Sequence, residues 1–272
     1  MSPIDIEVRL VVEAIYLRYG HDFRDYAPAS LKRRLLHAQK QMELPTLSAV
    51  QELVLRDATA FSRLLEHLTV PVSEMFRDPA YYRALRSHVV PVLKTYPSLK
   101  VWIAGCGCGE EAFSMAILLQ EEGLLERTIL YATDINPAAL ARARQGVFTA
   151  EQARLFTSNY QKAGGTAAFS SYYTAAYDGV VIDKQLRRHI TFADHSLATD
   201  SVFAEMHLVS CRNVLIYFNR ELQDRALGLF HDSLVHRGFL GLGTKESLEF
   251  SAYMKRFAPV SKPERLYRKV AE

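Results

Sequence analysis

The residues best placed to do chemistry lie in one stretch, Gly105-Cys106-Gly107-Cys108-Gly109-Glu110-Glu111, directly after the apolar run Val101-Trp102-Ile103-Ala104. Glycine at every second position lets a loop turn sharply and brings its backbone close to a ligand. Apolar residues then recur at helical spacing through Met115, Ile117, Leu118 and Leu119. A strand, a glycine loop and a helix N-terminus with unpaired N–H groups form a nucleotide-type site. The third glycine of a dinucleotide fingerprint is missing. Glu110 and Glu111 stand where a pyrophosphate would need the positive end of a helix. Carboxylates there repel a diphosphate and suit a neutral ribose or a cation. S-adenosylmethionine has a ribose, a sulfonium and an amino group, so it ranks ahead of NAD. A glycine-rich turn without a ligand is the remaining alternative.

A second acidic position supports a ribose. The strand-like run Ile129–Thr133 ends at Asp134, about 25 residues past the glycine loop, where a carboxylate can accept both ribose hydroxyls. Asn136-Pro137 then opens a helix, with Asn as cap and Pro at the first position. Strand and helix patterns alternate onward, through His189–Ala193, Met206–Ser210, a helix from about Arg220 to Val235 capped by Asn219, and closing strands at Gly238–Leu242 and Leu266–Val270. This alternation predicts an α/β fold with a doubly wound, mostly parallel sheet and a ligand at the strands' carboxyl ends.

Around this core the sequence predicts two additions. Residues 1–68 read as a small all-helical domain. Apolar positions recur through Val8, Val11, Val12 and Ile15, then Leu31, Leu35 and Leu36, then Val50, Leu53 and Val54. Ser30 is placed to cap the second helix, and Thr46 or Ser48 the third. The second helix is basic, with Lys32, Arg33, Arg34, His37 and Lys40, which makes it either a solvated face or a docking surface for an acidic partner. Residues 69–80 form a linker. Pro71 forbids a helix through it, and Asp78-Pro79 starts the helix of Tyr81–Leu93. Ser73, Phe76 and Arg77 therefore lie between two domains, where ligands collect. In residues 81–272 the alternation breaks at about 147–188, a stretch rich in Ala, Gly, Tyr and Ser. Tyr177-Asp178-Gly179 reads as a turn leading into a strand. The segment is expected to be an inserted small antiparallel β-subdomain whose edges can pair with an extended peptide, or else an excursion without function.

Composition narrows the classes. No run of about 18 apolar residues exists to span a membrane, and the acidic start Met1–Asp5 does not resemble a signal peptide. Three cysteines cannot build a disulfide framework. A reducing, cytoplasmic location is expected. Cys106-x-Cys108 is too close for zinc and has no histidine cluster, so no metal is expected. A net charge of +3 gives no reason to expect nucleic acid. Cys211, His195, His207 and Trp102 read as structural residues.

Four stretches together resemble one family: Trp102–Ser114, Phe76-Arg77-Asp78, Ala132-Thr-Asp134-Ile, and Cys211-Arg-Asn-Val-Leu-Ile-Tyr217-Phe. They look like the CheR-type chemotaxis receptor methyltransferases, and the resemblance covers nearly the whole chain. It implies transfer of a methyl group from S-adenosylmethionine to glutamate side chains of membrane chemoreceptors. It also implies roles for individual residues. Ser73, Arg77, Ala104, Gly105 and Glu111 would contact the cofactor, Asp134 its ribose, Ser196 and Leu197 its adenine, and Asn213 and Val214 its methionine portion. Arg77 would orient either the acceptor carboxylate or the cofactor, and Tyr217, near the methyl group, would orient the acceptor oxygen. The implied partner is the cytoplasmic domain of a chemoreceptor, docked by Lys32, Arg33, Arg34 and Lys40 and by the β-subdomain, with the enzyme a monomer. The chain departs from the family pattern in three places. Pro71 and Ser196 each stand where asparagine is usual, and Gly107-Cys108 replaces Ser-Thr. A hydroxyl at Ser196 cannot both donate to and accept from adenine as an amide can. These departures keep open a binding module without turnover, and a small-molecule methyltransferase is a further alternative.

Overall fold

The computed structural model describes residues 2–70, 73–176 and 179–270. Pro71 and the Tyr177-Asp178 turn expected from the sequence lie outside the described residues. Helices α1 (Pro3–Tyr19), α2 (Pro28–Gln41), α3 (Leu47–Arg56) and α4 (Ala58–Leu68) pack around Val11, Ile15, Leu35, Leu47, Val50, Val54 and Leu64, all fully buried. Thr46 caps α3 through its side chain. Ser30 caps nothing: α2 starts two residues earlier, at Pro28, whose fixed φ suits a first helical position.

The helix after the linker is not uniform. It runs as α5 (Pro79–Ala84), a π turn (Leu85–Val89) and α6 (Val90–Leu93). Pro91 has no N–H to give back to the preceding turn, and the Val90 amide reaches Leu85 O instead. Asp78 flanks α5 in the left-handed region, with φ 56°, and makes no side-chain cap. Its carboxylate is committed elsewhere, as described below.

The α/β part is built on β1 (Leu99–Ala104), α7 (Glu110–Glu121), β2 (Thr128–Asp134), α8 (Pro137–Gln145), β6 (Ile190–Asp194), β7 (Met206–Cys211), α11 (Arg220–Ser233) and β8 (Leu234–Leu242). Asn136 and Asn219 cap α8 and α11. Strand β8 begins at Leu234, earlier than the apolar pattern indicates, so α11 stops at Ser233. Strands β9 (Phe257–Ser261) and β10 (Leu266–Lys269) complete a seven-stranded sheet of order β6-β2-β1-β7-β8-β10-β9. Pairings from β6 to β8 are parallel, and β10 runs antiparallel to both its neighbours. The chain leaves β1 toward β2 and β6, then returns to place β7 on the other side of β1. That reversal opens a crevice at the carboxyl ends of β1 and β7. Trp102 is wholly buried in β1, where its indole N–H donates to Thr133 Oγ1 at 2.9 Å.

Between β2 and β6 the chain inserts β3 (Val147–Thr149), α9 (Ala150–Lys162), β4 (Tyr173–Ala176), β5 (Gly179–Ile182) and the single turn α10 (Lys184–Arg187). The three strands form an antiparallel sheet of order β3-β5-β4. Glu121 at the end of α7 ties this insertion down, accepting from Tyr160 Oη, from Tyr172 Oη at 3.1 Å and from Thr166 N at 2.9 Å.

Candidate functional site

The glycine loop is shaped by three left-handed residues, Gly105, Gly107 and Gly109, at φ 72°, 54° and 94°. A Cβ on Gly105 would run into Val214 Cγ2, so this residue's smallness sets how closely two site loops approach. The loop amides are already engaged. Gly105 N and Cys106 N donate to Thr133 O at 2.8 and 2.9 Å, and Gly107 N donates to Asp134 Oδ2 at 2.9 Å. This explains physically why the loop does not cradle a diphosphate: the donors a phosphate would use are spent on the end of β2. The Asp134 carboxylate also accepts from Asn136 N at 2.9 Å. Burial raises its pKa, against the amides of Asn136 and Gly107 that lower it. Two of its lone-pair sites remain for hydroxyl donors.

Above this loop lies a cavity of about 390 Å³, within the range of small-molecule sites. Ser73, Arg77, Gly105, Glu111, Asp134, Ser196, Leu197, Asn213, Val214 and Tyr217 all line it. Ala104 does not. It is buried at the end of β1, one residue behind the surface. Ser196 is folded into a turn: its amide donates to Asp200 Oδ2 at 2.9 Å and its hydroxyl accepts from Ala198 N at 3.3 Å. His195 is buried edge-on to Trp102 with Nε2 3.2 Å from Ser201 O, yet it also borders the cavity. His207 accepts from Lys100 N at 3.1 Å and is structural.

Other lining residues are not visible in any local pattern. His21, Asp22, Tyr26 and Arg34 come from the helical domain. That domain is stitched to the loop after β7 by backbone bonds: Ala27 N donates to Tyr217 O and Asn219 N to Asp25 O, each 2.8 Å, with Tyr26 bridging to Phe218. Thr69 Oγ1 accepts from Asn136 Nδ2 at 2.8 Å. Arg34 turns inward. Its guanidinium lies 4.1 Å from the Tyr217 ring centroid and donates to Leu68 O. The basic helix is therefore divided. Arg33, His37 and Lys40 are exposed, Lys32 pairs with Asp5 at 2.6 Å, and Arg34 faces the cavity.

Arg212 is the other residue the sequence did not single out. Its side chain is 1% exposed. It donates to Asp78 Oδ2 at 2.7 Å and Arg77 O at 3.1 Å, lies 3.5 Å from Glu111 Oε2, and stacks 4.2 Å from the Tyr81 ring centroid. Ser210 Oγ donates to Glu111 Oε1 at 2.5 Å. One buried cation thus joins the linker, α7 and β7. Arg77 lines the cavity, while the carboxylate of its neighbour Asp78 is taken by Arg212.

Residues 6–69 match the all-alpha domain of CheR methyltransferases, and residues 71–264 match the SAM binding domain of CheR methyltransferases. The chain belongs to the CheR methyltransferase family. It is 63% identical over 265 residues to a Pseudomonas putida protein, a methyltransferase by name, called Cher3, covering 97% of each chain. It is 30% identical over 231 residues to a chemotaxis protein methyltransferase of Listeria innocua, covering 84% of this chain and 85% of that one. The chain is thus an S-adenosylmethionine-dependent methyltransferase of the CheR type, built on a mostly parallel sheet with an all-helical domain at its N-terminal side. Asp134 with lone pairs to spare, the close Gly105 turn and a carboxylate-lined cavity of this size fit an adenosyl group and a sulfonium. Among the described residues no helix is long and apolar enough to cross a membrane.

Proposed function

We propose that this enzyme esterifies glutamate side chains of chemoreceptors, giving glutamate methyl esters and S-adenosylhomocysteine. The observation that carries this reading is the Arg34 guanidinium 4.1 Å from the Tyr217 ring centroid, with Arg77 lining the same cavity. Two guanidinium groups and a phenol suit an incoming anion. The relatives named as chemotaxis protein methyltransferases support the receptor as its source.

S-adenosylmethionine, when bound, supplies a methyl group activated by a sulfonium. The protein's task is then to place a carboxylate oxygen in line with that methyl and to keep water out. An ordinary glutamate, with a pKa near 4.3, is already ionised at neutral pH, so no general base is needed. Arg77 and Arg34 draw in and orient the carboxylate, and the Tyr217 hydroxyl donates to the oxygen that does not attack. Such placement is worth up to about 7–11 kcal/mol of barrier. The C–O bond forms as the C–S bond breaks, and the charges of anion and sulfonium cancel, so a partly dry site favours the step. Asp134 holds the ribose hydroxyls, and the 196–200 turn with Leu197 flanks the adenine. Ser73, Glu111, Asn213 and Val214 complete the pocket.

The exposed Arg33 and Lys40 give an acidic receptor segment a docking face. The outer edge of β4 offers a second one. We place the enzyme in the cytoplasm as a monomer, where receptor signalling domains lie. The test is transfer of tritiated methyl groups into cytoplasmic receptor fragments, with base-labile release of methanol. Label released by base supports the reading. Full S-adenosylmethionine binding with no label in any receptor fragment from the same cell overturns it.

A further inference from the structure

Glu246 lies outside the cavity lining and is 4% exposed. A buried carboxylate is normally expensive unless paired, and among the described residues Glu246 makes no salt bridge. Four backbone amides surround it instead. Oε1 accepts from Val214 N at 2.8 Å and Leu215 N at 2.7 Å. Oε2 accepts from Asn213 N at 2.9 Å and Gly243 N at 2.6 Å. Burial pushes the Glu246 carboxyl up, and these amides act against that shift. Asn213 is held at φ 62°, a conformation that a side chain rarely adopts unaided. A Cβ on Gly243 would stand 2.7 Å from Glu246 Oε2 and 2.8 Å from Asn213 N, so the small residue at 243 is what lets the carboxylate reach the loop. Val214, thus fixed, packs directly against Gly105 at the cavity wall.

We infer that Glu246 is the positioning residue for cofactor binding: its carboxylate gathers the amides of 213–215 and so fixes Asn213 and Val214 at the cavity wall, beside the glycine loop. The residue acts through the backbone and touches neither substrate nor cofactor. Gln at this position keeps the shape but turns an NH₂ group toward amides that need an acceptor.

The test is calorimetric titration of the full chain with S-adenosylmethionine and with S-adenosylhomocysteine, far below Tm. Because it reads cofactor affinity alone, its outcome is independent of whether receptors are the substrate. Glu246→Gln is expected to raise both Kd values by about 10- to 100-fold, as for loss of bonds to a charged acceptor. Glu246→Asp, which keeps the charge on a shorter arm, is expected to fall between. Val54→Ala, a core change in the helical domain, serves as the control: it lowers Tm and leaves Kd within about twofold of wild type. Where Glu246→Gln does not fold, Gly243→Ala decides, since it leaves the carboxylate present and displaces it. Wild-type affinity in a folded Glu246→Gln or Gly243→Ala protein overturns the inference, as does an equal loss of affinity in Val54→Ala.

Discussion

The Arg34 guanidinium of the helical domain lies over the ring of Tyr217, which follows strand β7, 4.1 Å from its centroid. A cation–π contact of this kind is worth about 0.5–2 kcal/mol, enough to hold the charge over the cavity mouth. Arg34→Ala is therefore expected to lower kcat/KM for receptor by about tenfold or more while leaving S-adenosylmethionine affinity nearly unchanged. Arg34→Lys should restore little, because an ammonium neither stacks nor forks. Steady-state kinetics with calorimetry separates the two effects, and an equal loss of cofactor affinity would count against the assignment.

Tyr217→Phe keeps the ring and hence the contact with Arg34. Loss of one hydrogen bond to the acceptor predicts a fall in kcat of about five- to tenfold, with cofactor Kd unaltered. Single-turnover methyl transfer measures this directly.

The Asp134 carboxylate holds the amides of Gly107 and Asn136 and lines the cavity. In Asp134→Asn an NH₂ replaces one oxygen and must oppose an amide donor. The Kd for S-adenosylmethionine is expected to rise by at least about tenfold.

Arg212 is buried among Asp78, Glu111 and Tyr81. Removing one member of a buried ionic group strands its partners, at a cost of about 3–5 kcal/mol. Arg212→Met is therefore expected to lower Tm by roughly 10 °C. Adding Asp78→Asn to it should recover part of the loss. Thermal denaturation of the single and double variants tests this coupling.

Glu110 begins α7 with only 2% of its surface exposed, and burial raises its carboxyl to about 7. Its pKa is higher folded than unfolded, so its contribution to stability is largest below about pH 4.5 and is lost as pH rises through 7. The span corresponds to an upper bound of about 3 kcal/mol. Glu110→Gln should thus be more stable than wild type at pH 8 and nearly equal to it at pH 5. Urea unfolding at the two values measures the difference.

The sequence by itself determined the elements whose signals are local. Alternate glycines after an apolar strand, Asp134 closing the next strand, and the Asn caps at 136 and 219 each depend on neighbours a few residues away, so spacing alone revealed them. The site residues that the family resemblance implied all line one cavity, apart from Ala104, which lies in the core at the end of β1. Strand β9 escaped notice because Pro259 interrupts its pattern. The remaining features were settled only by tertiary structure. Arg34 read as one charge in a basic run, because helical periodicity cannot say which neighbouring domain a half-exposed face meets. Asp78 read as a cap until folding brought Arg212, 134 residues away, within 2.7 Å. Glu246 carries no motif that spacing could reveal, since three of its four partners are main-chain amides of a distant loop. Local hydrogen bonding is written in sequence order, whereas buried charge finds its partner only where the chain folds back on itself in a low-dielectric interior.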